Sequence, residues 1–132
     1  MSNSTIYETL RTKLNTLDGK PSIAMENEDF TPTPGTIYLR ENFLPASTVP
    51  VGLSELSSKD YRGIYQITVC GEAGYGTYNL RTWAEAILDL FAVGKVDDDI
   101  YIESGSIAPI MIVDGWCYLP VSINYRAVYG NV

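Results

Sequence analysis

Tyr61-Arg62-Gly63-Ile64-Tyr65-Gln66-Ile67-Thr68-Val69-Cys70 is the stretch whose alternation decides the fold. Tyr61, Tyr65, Ile67 and Val69 fall on one side and Arg62, Gln66 and Thr68 on the other, the period of a strand with one face in a core. Such a strand needs neighbours, and the rest of the chain supplies them. From Trp116 to Val128, Cys117, Leu119, Val121, Ile123 and Tyr125 alternate against Tyr118, Ser122, Asn124 and Arg126. Asp114-Gly115 joins that segment to Ile107–Val113 as a two-residue turn of the type that matches strand twist. Ile37, Leu39 and Phe43 share a face in Thr36–Phe43, and Ile23-Ala24-Met25 and Ile100-Tyr101-Ile102 read as short strands. Pro109 and Pro120 each remove a ladder donor and are expected at edges or bulges.

Two segments carry the 3.6-residue period instead. Ile6, Tyr7, Leu10, Leu14 and Leu17 form one stripe, with Thr5 and Glu8 at capping-box spacing and Asp18-Gly19 as a stop. Leu80, Trp83, Ala84, Ile87, Leu88 and Phe91 form a broader stripe that ends at Gly94. The order helix, strands, helix, strands predicts an α+β domain spanning 1–132, with both helices on one face of a largely antiparallel sheet. Trp83 and Phe91 are both expected between helix and sheet.

At 132 residues the chain has the length of one domain with a single core. Sixteen acidic against nine basic residues give a net charge of −7, which repels a phosphate backbone, so sequence-specific nucleic-acid binding is not expected. An acidic surface past which DNA slides without sticking is compatible with that balance. No apolar run reaches the ~20 residues of a membrane span, and Met1–Leu10 lacks the basic start and apolar stretch of a signal peptide, so a cytoplasmic protein is expected. The absence of histidine removes Ser-His-Asp and Cys-His catalysis and the usual general base near neutral pH. Cys70 and Cys117 lie in predicted strands, which suits buried free thiols better than a disulfide or a metal site.

Gly71, Gly74 and Gly76 sit between a strand and a helix, where a phosphate loop could sit. Their GxxGxG spacing, with no Lys-Ser/Thr pair following, fits a plain turn better. Asp97-Asp98-Asp99 could suggest a hard cation, but successive strand side chains diverge and the alternate spacing of a calcium loop is missing. A solvated turn, or an acidic rim or lumen lining on an assembly, accounts for them. A small enzyme or ligand-binding module using Glu72 or Asp97–Asp99 is the alternative from another class, and it lacks a base, a nucleophile or a metal shell. No cofactor and no metal are expected. Ten tyrosines suit interfaces and half-wet strand faces equally.

Residues 44–60 carry Pro45, Pro50, Gly52 and the Ser-rich stretch Ser54–Ser58, and read as a long irregular loop, mobile in the free subunit. Leu44, Val49, Val51, Leu53 and Leu56 make it more apolar than a solvated linker. It could fold back over its own core as a flap. Ordering against another subunit is the preferred reading, with the interface extending to Tyr61 and Arg62.

Several pieces in order resemble the phage tail terminator-like proteins of long, flexible-tailed phages. They are Asn27-x-x-Phe30-x-Pro32, Tyr38-Leu39-Arg40, Gly63-Ile64-Tyr65-Gln66, the Gly74 and Gly76 loop before an amphipathic helix, and Gly115-Trp116-x-x-Leu119-Pro120-Val121-x-Ile123-x-Tyr125. Together they span about residues 5 to 128. The resemblance implies a non-catalytic subunit of a homo-hexameric ring that caps the tail tube, stops its polymerisation and docks the head-tail connector or stopper. It also implies that the 44–60 loop settles at the subunit interface, and that DNA passes through the lumen. A head-tail connector, neck or minor tail protein is the neighbouring alternative.

Overall fold

In the computed structural model, which describes residues 3–17, 19, 21–24, 36–46, 49–51, 58–74, 76–96 and 100–129, the Tyr61 stretch lies within a 15-residue strand at the middle of the sheet. In chain order the elements are α1 (Asn3–Leu14), β1 (Ser22–Ala24), β2 (Tyr38–Pro45), β3 (Val49–Val51), β4 (Ser58–Glu72), α2 (Tyr78–Leu90), β5 (Gly94–Lys95), β6 (Ile100–Ile107), β7 (Met111–Val113) and β8 (Trp116–Tyr129). The eight strands form one sheet in the order β1-β2-β4-β8-β6-β5, with β3 also paired to β4 and β7 also paired to β8. Among the described strands, only β1 and β2 pair in parallel. This is the α+β architecture expected, because two strands with strict alternation pair along their full length, from Lys59↔Tyr129 to Glu72↔Trp116.

Cross-strand partners share a face, so the register defines two surfaces. Leu39, Val69 and Leu119 form one row, and Phe43, Tyr65 and Ile123 form another. Against these rows pack Ile6, Leu10 and Leu14 of α1 and Leu80, Ala84 and Ile87 of α2, with Phe91 just beyond α2, in one continuous core. The opposite surface carries no helix among the described residues. Its one buried cluster is small: Ala24, Tyr38 and Cys70, with Trp116 and Tyr118 packed on it.

Several expectations need correction. The first helix starts at Asn3, so Thr5 lies within its first turn and not at the N-cap position, and Thr9 Oγ1 donates to the Thr5 carbonyl at 2.9 Å. Leu44 and Pro45 belong to β2, Val49–Val51 is a strand, and Ser58–Asp60 extends β4 to pair with it, so the segment read as irregular is in part a hairpin arm. Val49 and Val51 favour extended backbone, and Pro50 is tolerated there because the strand is short and at an edge. Residues 52–57 lie outside the described residues, as do Met25 and the Asn27–Gly35 stretch with Phe30, Pro32 and Pro34. The single strand expected over Ile107–Val113 is divided, its first residue ending β6 and its last three forming β7.

Pro120 sits inside an interior strand, not at an edge, and the geometry shows how. It faces Thr68 in β4, while on its other side β6 stops at Val121 and β7 begins at Tyr118. The Pro120 carbonyl accepts from Ala108 N–H at 2.9 Å across that gap. A strand residue's N and C=O point to the same side, so the missing donor faces the gap, where no ladder carbonyl waits for it. The Asp114-Gly115 turn is as expected: φ is 51° at Asp114 and 80° at Gly115, the left-handed pair of a twist-matched hairpin.

Candidate assembly surface

One fully buried carboxylate among the described residues is not singled out by the sequence. Ile37, Leu39 and Phe43 mark a period-two face, and the position they skip is Glu41, whose side chain is 0% exposed. Its Oε2 accepts from Tyr65 Oη at 2.6 Å and its Oε1 from Tyr7 Oη of α1 at 2.5 Å. Arg11 Nε, also on α1, lies 3.8 Å from Oε1, close enough for an ion pair but too far to donate a hydrogen bond. Helix α1 is thus held to the sheet by polar contacts as well as by its apolar stripe. The carboxylate is fully buried between α1 and the sheet, so the arrangement reads as a device for fixing α1.

Beside it, rings run across the sheet: Tyr7 on Phe43 at 5.2 Å and Phe43 on Tyr125 at 5.4 Å, both stacked. Phe43 is on β2 and Tyr125 on β8, so their contact must cross β4. Gly63 permits this, since a Cβ there would meet Tyr125 Oη at 2.5 Å and the Leu44 carbonyl at 2.7 Å. The Gly63-Ile64-Tyr65-Gln66 piece therefore has a packing reason.

Burial gives an alkaline limit to stability. It pushes the Tyr125 hydroxyl up to about 12. Tyr38 also rises to about 12, through burial first and then Cys70 beside it. Tyr65 rises higher, by burial and by its hydrogen bond to Glu41. Tyrosines of an unfolded chain ionise near 10. The folded state therefore favours the neutral form, and this contribution is whole below about pH 10 and lost as pH rises from there. Far-UV circular dichroism should hold steady to about pH 10 and collapse between about 10 and 12, together with tyrosinate absorbance. Full tyrosine titration with an unchanged fold would show that these hydroxyls are open to solvent.

Of the residues expected at a subunit interface, Leu44, Val49, Val51, Tyr61 and Arg62 lie at one corner of the sheet, where β2 ends, β3 runs and β4 begins. Leu44 is 49% exposed there. Arg62 is exposed on the helix-free face, directly across from Arg126 of β8. Tyr61 points the other way and packs against the core. Val49 and Val51 lie in β3, with only their backbone described; Leu53, Leu56 and the acidic Asp97, Asp98 and Asp99 lie outside the described residues. Glu72 ends β4, opposite Trp116, half-buried. Cys70 and Cys117 are buried free thiols as expected, and burial pushes the Cys70 thiol up to about 11. The glycine segment contains the ordinary turn between β4 and α2.

A second exposed apolar feature went unanticipated. Met111, Ile112 and Val113 are 54%, 69% and 50% exposed, although an apolar run before a hairpin turn reads as buried. They form β7, at the border opposite β2. On its helix-free side β7 adjoins an aromatic group: Trp116 is edge-on to Tyr38 at 5.7 Å, and the Arg40 guanidinium lies 5.7 Å from the Tyr118 ring centre. No cluster of metal-ligating side chains occurs among the described residues. No helix among them is long and apolar enough to cross a membrane.

Among the described residues, the buried carboxylate of Glu41 is thus turned inward to hold the fold. The exposed large apolar side chains include Leu44, Met111, Ile112 and Val113 of the strands, besides Tyr78 and Val93, an arrangement of a structural subunit more than of a catalytic site. The family model described as phage tail terminator protein matches residues 5–125, and the chain belongs to that family, a structural family of phage tails. A solved structure 22% identical in sequence superposes with a TM-score of 0.77, covering 98% of this chain and 97% of that one, and so has the same fold. No curated protein matches the chain.

Proposed function

We propose that this phage tail component is one copy of a hexameric ring that caps the finished tail tube, ends its polymerisation and offers the head-tail connector its docking surface. The observation that carries the reading is the family match over nearly the whole chain. An assembly role is also supported by the apolar strand edges at two borders of the sheet. The partners in this reading are other copies of the chain, the tail tube protein and the connector or stopper. The net charge of −7 suits a lumen through which DNA passes without adhering. Assembly takes place in the host cytoplasm, and the protein stays in the virion tail of a long-tailed phage.

Tube length is the decisive measurement. Infection with a phage lacking this chain should yield overlong, headless tubes in negative-stain images, and purified protein added to growing tubes should arrest them at a defined length. Tubes of normal length in its absence would overturn the reading. Normal-length tails that fail to take heads would instead assign the chain to the neck.

A further inference from the structure

The border of the sheet formed by β6 and β7 differs from the edges at β3 and β5. Exposed strand edges are usually blunted by shortness, charge or proline, because their unpaired amides and carbonyls recruit further strands. Strand β5 has two residues, one of them Lys95, and β3 has Pro50 at its centre. Strand β5 covers β6 at Tyr101 and Ile102, and no other described strand pairs with the outer side of β6 or β7. From Ser104 to Val113 that border carries no charge, and its one proline, Pro109, lies between the two strands. Glu103–Ser106 and Met111–Asp114 are exposed.

The register shows which groups are open. A strand residue's N–H and C=O point to one side, and that side alternates along the strand. The Pro120 carbonyl faces this border, since it accepts from Ala108 N–H at 2.9 Å, and by alternation so do the backbone groups of Tyr118, Ser122 and Asn124. Their partners Met111, Ser106 and Ser104 therefore face β8. Gly105, Ile107 and Ile112 alternate with these partners and turn their N–H and C=O outward. Gly105 brings no side chain to the edge and Ile112 is 69% exposed, so what fits is an extended apolar segment that bonds through its backbone.

Charge selects among such segments. Glu103 and Asp114 stand at the two ends of the uncharged run, both exposed and neither in an ion pair among the described residues. If two copies of this border paired antiparallel, with Gly105 opposite Ile112 of the second copy, Glu103 would meet that copy's Asp114 at each end. Like charges directly opposite weaken a pairing, so the border is guarded against itself. We propose that it binds an extended segment of another protein, apolar at its centre with a basic residue at each end, as an added strand beside β6 and β7. The proposal goes beyond the ring reading and does not depend on it.

The probe is a peptide of about twelve residues, Val alternating with Thr and Lys at each end, compared with the same peptide ending in Glu. Each is titrated into the isotopically labelled full chain. The Lys-ended peptide should bind about ten-fold more tightly, because two charge pairs replace two repulsions. It should shift the Gly105, Ile107 and Ile112 amides and slow their exchange. Glu103→Gln combined with Asp114→Asn should erase the preference, and Asn tolerates the left-handed conformation at 114. The same double variant should self-associate at about ten-fold lower concentration than the parent. Ile112→Pro, which lacks the outward N–H, should bind neither peptide. Absence of binding, equal binding of the two peptides by the parent, shifts confined to other amides, or a parent dimer built on these amides would each overturn the proposal. If Ile112→Pro unfolds, the two peptides on the parent decide.

Discussion

Glu41→Ala should lower the melting temperature by about 10 to 20 °C, from a loss of about 3 to 5 kcal/mol, the usual cost of removing one partner from a buried charged contact. The loss comes mainly from Tyr7 and Tyr65, whose hydroxyls donate to the carboxylate. Arg11 adds little, because its side chain is 32% exposed and its Nε is 3.8 Å away. Glu41→Gln keeps an acceptor and should cost about 1 to 2 kcal/mol. Helix α1 should loosen first, so hydrogen exchange in residues 5–14 would rise before that of β4 and β8. An alanine variant that melts within about 3 °C of the parent would show that the apolar stripe alone secures α1.

Phe91→Ala should cost a similar ~3 to 5 kcal/mol, because the ring is 1% exposed and removing it leaves a cavity against Tyr65, whose ring it meets edge-on at 5.9 Å. Trp83 shares the helix stripe but is only half-buried, so Trp83→Ala should lose less, about 1 to 2 kcal/mol. The expectation that both residues are equally part of the core needs that correction: Leu80, Ala84 and Ile87 form the inward line of α2, and Trp83 lies on its flank. Thermal melts of the two single variants test the ranking. Equal losses would place Trp83 inside after all.

How much was legible in the sequence follows from the range of each signal. Alternation in 61–70 and 117–125 and the helical stripes are local, and the backbone period alone turns those side chains to one side. The Asp-Gly turn is legible for the same reason, since two left-handed residues need no distant partner. The 44–60 segment was read by composition, and composition does not see pairing: β3 exists because Ser58–Asp60 lies beside it.

Two features could be seen only in the tertiary structure. A carboxylate on an apolar face reads as a break in the pattern, and Glu41 is satisfied only because the fold brings Tyr7, 34 residues away, and Tyr65, 24 away, to its two oxygens. An apolar run before a turn reads as buried. Met111–Val113 is exposed because β6 ends at Ile107 and β7 lies at the border of the sheet, beyond the reach of both helices. The sequence by itself determined which face of each long strand and helix turns inward, because that depends on local period. The tertiary structure alone decided which polar group could be buried and which apolar strand was left outside, because burial depends on what distant segments cover.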